Sequence, residues 1–588
     1  MSVKNWLIER KTQWLATFSR FPVAIALLVL AVMFTLATIR SDGDPDYMNH
    51  VMSIGLGVLL VVSIQLYSER LSLDKLYLWG IKLASLILPL LYYFYLRQAP
   101  LGFSQSGSVR TIVLYFILVV LLLVTPTLRS HLTFSDSLIV FIKAFFSSLL
   151  ISVILFIGIS AILSAYTTLI YEIDYRWFSY SATIVYLFVG PVYLLSRLPV
   201  FDEKKHDLTI NEAKSIPPLL EILIAYIIIP VLLVFSAILI AYILINISGE
   251  FWKDNLMEPM LISYTIIGII TLFLTENVDK NISRLFSRFF PYLLLVIAIF
   301  QTVSSSLKTY DIGLTHGRYF VLLFGIFSII STLVYSFLKS KKILIPFLLI
   351  GLGVISILPM IDAVSIGISN QLNKVNSIVE SAEIDEETTE QLDDALSDEE
   401  KAKFSYSMNY LNQQEQLDQL DWLPDDFDYY RDFEQTFGFD SGFHYYYGTD
   451  IDGPGQSGPR NAFIELDYSQ PNVFPMTGVD ELVELSTYLG SEIDVDLDTE
   501  PYSLKFVAES DELSVELLEN DSSVLMYDLS AIKEQAWEVP MEDTQQPLEE
   551  MTFTEENDDA RLTVIVRRLE LGEDSYIEGE FLILITYK

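Results

Sequence analysis

Eleven uninterrupted apolar runs constrain this chain more than any other feature. They cover 21–39, 48–66, 76–95, 111–127, 137–165, 180–198, 218–246, 259–275, 289–306, 319–337 and 343–361. Crossing a hydrocarbon core takes about 20 mostly apolar residues. Backbone amides in lipid must be paired within their own segment, so each run has to be a helix. Together they predict a polytopic α-helical membrane bundle of about 11 spans over residues 21–361. The runs at 137–165 and 218–246 exceed an upright span, so tilt or extension beyond the bilayer is expected. No stretch of similar length and apolarity follows Ile361.

Charge divides the chain at the same border. Residues 1–361 carry 26 Lys+Arg and 20 Asp+Glu, whereas residues 362–588 carry 11 Lys+Arg and 55 Asp+Glu, a net of −44. A bilayer-embedded part is thus joined to a water-soluble, acidic part at Met360–Asp362. The basic residues orient the first part. With the N-terminus inside, seventeen Lys and Arg fall on inner segments, including Arg284, Arg288 and Lys342, against seven on outer ones. That is a positive-inside bias. Eleven crossings then leave the acidic C-terminal domain outside.

Residues 1–20 place Trp6, Trp14 and Phe18 among basic residues, the pattern of a short helix lying in the inner interface. The first run ends in Ile39-Arg40 without a small-residue cleavage site, so no cleavable signal peptide is expected. The chain has no cysteine, which excludes disulfides and thiolate metal sites.

Residues 362–438 read as a polar, helical neck. Ser397 and Glu400 have the spacing of a capping box and open a helix toward Leu411. Pro424 marks another helix start and Gly438 its end. Residues 439–588 form a soluble α+β, β-rich domain, expected to be extracytoplasmic and to resemble a sandwich. Its segments FIELD, SEIDVDLD, YSLKFVAES, LSVELLE, SVLMYDL, MTFTE, RLTVIVRRLEL and FLILITYK read as strands, with one helix near 529–538. Over 492–498 the period is two, with Glu492, Asp494, Asp496 and Asp498 on one face and Ile493, Val495 and Leu497 on the other. FLILI at 581–585 is apolar on both faces, as a central strand would be.

Few residues carry candidate chemistry. Lys82, Lys143 and Glu221 are charged positions inside the runs. Such groups are costly in a bilayer and often functional, yet all three lie close enough to the inner interface to snorkel. Pro89, Pro191, Pro230, Pro346 and Pro359 are read as helix kinks. The most distinctive segment is YDIGLTHGRYF, 310–320, where Gly313 permits a turn that gathers Asp311, His316, Arg318 and Tyr319 at the outer interface. Arg318 is then a charge clamp for an anionic headgroup or for the acidic domain, or an interfacial anchor beside Tyr319. The face of Asp494, Asp496 and Asp498 is a candidate divalent-cation site, weighed against a solvated strand face. No phosphate loop, nucleophile elbow, zinc-protease or dinucleotide motif is present.

The segment 310–320 resembles a "YG-[IL]-T-E-x-R-Y" pattern. That pattern belongs to an uncharacterised bacterial multi-pass membrane protein family of the domain of unknown function 4153 type. Phe21-Pro22, Tyr226-Ile-Ile-Ile-Pro230 with Ala241-Tyr242, and Ser369-Asn370-Gln371-Leu372 are also similar to it, from about residue 20 to at least 420. The chain departs from the pattern at His316, where an acid is expected, and at Asn370, where Ser is expected. The resemblance implies fold and location and brings no activity.

The expected function is that of a non-enzymatic envelope protein in the bacterial cytoplasmic membrane. Its acidic outer domain would sense, bind or scaffold. Its partners are the lipid bilayer and cations or a basic envelope component. A net of −44 repels nucleic acid. No cofactor is implied beyond a divalent cation at the acidic domain. The alternatives are a small-solute transporter, suggested by the spans and prolines, and a membrane enzyme acting on lipid-linked substrates through Asp311, His316 and Arg318.

Overall fold

The computed structural model describes residues 16–41, 47–71, 75–98, 105–171, 173–201, 207–246, 258–382, 392–424, 427–439, 441, 462–466, 473–474, 476, 478–488, 491–499, 501–508, 513–520, 522–538, 545–571 and 577–588. Within them, nine helices are long and apolar enough to cross a membrane: Pro22–Arg40, Met48–Glu69, Leu76–Gln98, Gly107–Thr127, Phe134–Leu169, Arg176–Arg197, Ile210–Ile245, Asn281–Ile312 and His316–Phe337. Two shorter apolar helices, Ile262–Asn277 and Leu344–Ile355, lie on the remaining runs. The protein is an integral, multi-pass membrane protein. Among the described residues the eleven runs thus carry nine full-length apolar helices and two shorter ones. The last run, 343–361, stops being helical at Ile355 and continues as turns, with Met360 at φ 72°. Residues 1–15 of the expected interfacial helix lie outside the described residues, and 16–20 are helical.

Helix α1, Phe134–Leu169, has 36 residues, about 54 Å of rise. A capping box starts it: the Asp136 N–H donates to Thr133 Oγ1 at 3.1 Å and the Thr133 N–H to Asp136 Oδ2 at 3.0 Å. Two spans contain a π segment, Thr183–Val189 and Leu223–Ile228. Pro191 and Pro230 each follow two residues later. Proline has no N–H to give the carbonyl one turn back, and a wider turn accommodates the break. The kinks expected at these two prolines therefore take the form of π turns.

Four consecutive helices lead from the spans into the neck: α2 (Glu258–Leu274), α3 (Asn281–Ile312), α4 (His316–Phe337) and, after the short Leu344–Ile355, the neck helix α5 (Ala363–Ser381). A second neck helix, α6 (Asp398–Gln413), begins at the Ser397–Glu400 capping box. Phe286, Phe290, Leu294 and Ile297 on α3 pack with Tyr264 and Phe273 on α2 and with Phe327 and Tyr335 on α4 in one buried cluster. The helix expected to start at Pro424 instead spans Tyr429–Phe437. Pro424 closes a turn with Phe427, and the left-handed Gly438 (φ 83°) stops the helix as expected.

The chain divides into two compact units, 1–432 and 433–588, and both neck helices belong to the first. Among the described residues of the second unit, ten strands form two sheets. One has the order β2 (Glu481–Tyr488), β10 (Ile577–Tyr587), β9 (Ala560–Leu571), β1 (Ala462–Leu466), β7 (Gln545–Gln546), with β8 (Thr552–Glu556) also paired to β9. The other is an antiparallel meander of β3 (Ser491–Asp496), β4 (Tyr502–Ala508), β5 (Leu513–Glu519) and β6 (Ser522–Asp528). Helix α7, Ser530–Glu538, follows.

All eight expected strands and the helix are found. Strands β2 and β7 escaped the sequence reading. In ELVELSTY the period is imperfect, and β7 has only two residues. Both sheets share one core with Leu504, Phe506, Val515, Val564, Phe581 and Ile583, where the Phe506 and Phe581 rings lie 5.0 Å apart. β10 is central, bonded on both edges, as its two apolar faces require. Asp494, Asp496 and Asp498 are exposed, while Leu497 is buried.

Candidate functional site

The turn between α3 and α4 brings the sequence candidates together and joins them to the neck. Gly313 closes α3 with φ 105° and ψ 166°, backbone open in practice only to glycine. A Cβ there would stand 2.7 Å from Gln371 Nε2 and 3.1 Å from Asn370 Oδ1, both on α5. The close approach is used: the Leu314 N–H donates to Asn370 Oδ1 at 2.6 Å. Gly367 serves the reverse purpose, since a Cβ there would lie 2.5 Å from the Tyr410 hydroxyl and 3.1 Å from the His316 nitrogen.

Asp311, exposed at the end of α3, receives Lys403 of α6 at 2.7 Å, and its backbone carbonyl accepts from Lys374 of α5. Lys403 also pairs with Glu399 at 2.7 Å. Burial opposes the Lys403 charge, but the two carboxylates outweigh it and hold its pKa above the usual value. Lys374 moves the other way, lowered by burial and by neighbouring Lys403, with Asp311 in partial opposition.

Thr315 caps α4, its Oγ1 accepting the Arg318 N–H at 3.4 Å. Arg318 is 5% exposed, inside the junction rather than displayed at its surface. Tyr319 donates its hydroxyl to the Ile361 carbonyl at 3.2 Å. His316 uses its backbone N–H and its Nδ1, both 3.2 Å from the Tyr410 hydroxyl. Burial, with the Asp362 charge adding to it, pushes Tyr410 up to about 12.

Asp362, 1% exposed, fastens the start of the neck. It caps α5 through the Ser365 N–H at 3.1 Å and meets Arg110 at 3.1 Å, while Arg110 also donates to the Tyr95 hydroxyl at 2.7 Å. Burial would raise the Asp362 pKa, but the hydrogen bonds from Ser365 and the Arg110 charge hold it below the ordinary value.

The remaining candidates lie elsewhere. Lys82 is buried, hydrogen-bonded to Gln65, with the Trp79 ring 5.8 Å away. Lys143 donates to the carbonyls of Ala213 at 2.8 Å and Ser215 at 2.9 Å, at the end of the helix Asp207–Lys214. Glu221 pairs with Lys280 at 3.3 Å. Asp494 faces Lys505 and Asp496 faces Ser503 across the β3–β4 ladder. Asp498 uses its backbone N–H on Glu481 at 3.0 Å. Among the described residues no group of three or more His, Cys, Asp or Glu could hold a metal ion. Sequence reasoning passed over Arg110, Lys374, Lys403 and Tyr410. The two lysines carried a usable signal, because basic residues are scarce after residue 362.

A family model described as Domain of unknown function (DUF4153) matches residues 23–399. The chain belongs to this family. No curated protein and no solved structure gives a match. The DUF4153 region takes in the spans, Arg110, the turn at 310–320, Asp362 and α5. Lys403 and Tyr410 close the junction from just beyond it.

Proposed function

We propose that the chain is a multi-pass protein of the bacterial cytoplasmic membrane, N-terminus inside. Its acidic domain at 439–588 lies outside and senses, binds or scaffolds at the envelope without catalysing a reaction. The observation that carries this reading is the use made of Asp311 and His316. An outer catalytic cluster would be built from them, yet Asp311 is held by Lys403 and His316 by Tyr410. A carboxylate bound to an ammonium and an imidazole engaged with a buried phenol serve attachment better than proton transfer. The neck helices α5 and α6 are then the part of the first unit that is fastened to the turn between α3 and α4. Cations or a basic envelope component are the partners that its charge favours.

The absence of cysteine makes the test direct. Asp494→Cys and Lys341→Cys are each treated in intact cells with a membrane-impermeant maleimide. Labelling at 494 alone supports the orientation, and labelling at 341 alone sinks it. Calorimetry of the full chain in detergent with calcium or magnesium tests the cation partner. Heat that is lost in Asp494→Asn/Asp496→Asn supports it, and no heat rejects it.

One observation favours a transporter as the second reading. Gln301 in α3 is 2% exposed, and neither atom of its amide has a hydrogen-bond partner among the described residues. An unpaired buried amide is costly, and a solute pathway would account for it. Gln301→Leu that stabilises the protein and leaves solute flux into proteoliposomes unchanged would remove this reading.

A further inference from the structure

At the end of α3 opposite Gly313, a cavity of 1220 Å³ lies among the loop 275–280, the first turns of α3, the end of α4 and Lys342. Three cations line it, and their charges are not equally available. Lys342 pairs with Glu276 and stands 3.9 Å from the Tyr335 ring centre. Arg284 meets Asp279 only at 3.4 Å, with both side chains largely in solvent, a pairing that contributes little. Arg288, one turn along, is exposed and makes no ion pair among the described residues.

Ser336 is an independent sign of a missing ligand. It lines the cavity, is 7% exposed, and its Oγ has no hydrogen-bond partner among the described residues. Ser328 on the same helix bonds the Phe324 carbonyl at 2.7 Å, whereas Ser283, Ser331 and Ser336 are buried without a partner among the described residues, and of these three Ser336 is the one that lines the cavity. A buried hydroxyl left unmatched is a donor held at the cavity wall. Pro291 also lines it and cannot donate to the Ser287 carbonyl, leaving an acceptor in the wall. Aromatic Phe289 and Tyr292 next to the arginines match the depth of lipid headgroups.

We propose that this cavity binds the phosphate of a phosphodiester ligand, with Arg288 and Arg284 meeting its charge and Ser336 donating to it. Basic pockets between membrane helices hold anionic headgroups by the same chemistry. The volume admits a headgroup with its glycerol. The site is remote from the neck junction and stands or falls apart from the reading above.

The test uses the full chain in detergent, titrated with dioctanoyl phosphatidylglycerol and with dioctanoylglycerol, which lacks the phosphate. Binding is read by native mass spectrometry. The phosphate-bearing lipid is expected to bind and the other to bind far less. Arg288→Gln, an exposed position that leaves the core intact, should weaken binding about fivefold, the contribution of one basic residue near an anionic surface. Ser336→Ala should weaken it as well, without lowering the melting temperature. Inorganic phosphate distinguishes the sources of the same chemistry. Competition at millimolar concentration assigns the site to a free phosphate ester, and lack of competition assigns it to lipid. Equal binding of the two lipids, or unchanged binding by Arg288→Gln, overturns the proposal.

Discussion

The Tyr410 hydroxyl accepts the backbone N–H of His316 at 3.2 Å and lies 3.2 Å from the same residue's Nδ1. One phenol on α6 thereby holds the first turn of α4, 94 positions earlier in the chain. Helix starts leave backbone donors unmatched, and the neck supplies the acceptor. Tyr410→Phe should cost about 1 kcal/mol. The loss should appear as faster amide exchange over 313–319, with exchange in the β-sheets unchanged.

Two glycines allow the neck to sit this close. Gly313→Ala combines a left-handed backbone with a contact of 2.7 Å to Gln371, and Gly367→Ala drives a methyl to 2.5 Å from the Tyr410 hydroxyl. Each should lower stability by about 1–3 kcal/mol. Gly351, whose Cβ position meets nothing within 4 Å, provides the control. Limited proteolysis within 363–413 should accelerate for the first two and not for Gly351→Ala.

Asp362 combines a cap with a charge pair, and the two roles separate by substitution. Asn caps as well as Asp but cannot pair with Arg110, so Asp362→Asn isolates the ion pair. Asp362→Ala should be worse by about 1 kcal/mol. Because the folded Asp362 pKa is depressed, its stabilisation is complete above the unfolded value near pH 4 and fades as pH falls through the lower folded value. Protection of α5 amides should therefore hold from pH 7 to about 4 and decline below, and Asp362→Asn should remove that decline.

Lys143 ends a helix from outside it, through the carbonyls of Ala213 and Ser215. Lys143→Met keeps the apolar stem and removes the charge-assisted bonds. A loss of about 2 kcal/mol is expected, read as exchange confined to 207–216.

Phe506 and Phe581 meet in a tilted ring contact between the two sheets of the second unit. Phe506→Ala should cost about 3–5 kcal/mol and remove the melting transition of residues 433–588 while sparing that of the spans.

The helices and strands were legible because their signals are local. Length and apolarity marked the runs, and alternation over 492–498 marked which side of β3 is buried. The junction was not legible in the same way. His316 and Asn370 stood out as departures from the family pattern, but nothing near them in sequence announces Tyr410 or Lys403. Their meeting depends on how the neck helices fold back onto the turn at Gly313. The partner of Lys82 was hidden for a related reason: its bond to Gln65 joins two helices.

The pairing of β2 with β10 has a consequence for biosynthesis. Tyr488 waits for Glu578, about 90 residues later, or several seconds at the pace of translation. β3 to β6 can close as soon as they emerge, since each pairs with its neighbour in the chain. β1 and β2 meanwhile have unmatched edges until residues 560–587 arrive. Mutual repulsion among their many carboxylates keeps nascent copies apart over that interval. The acidity that divides this protein in two therefore also protects its second half while it is unfinished.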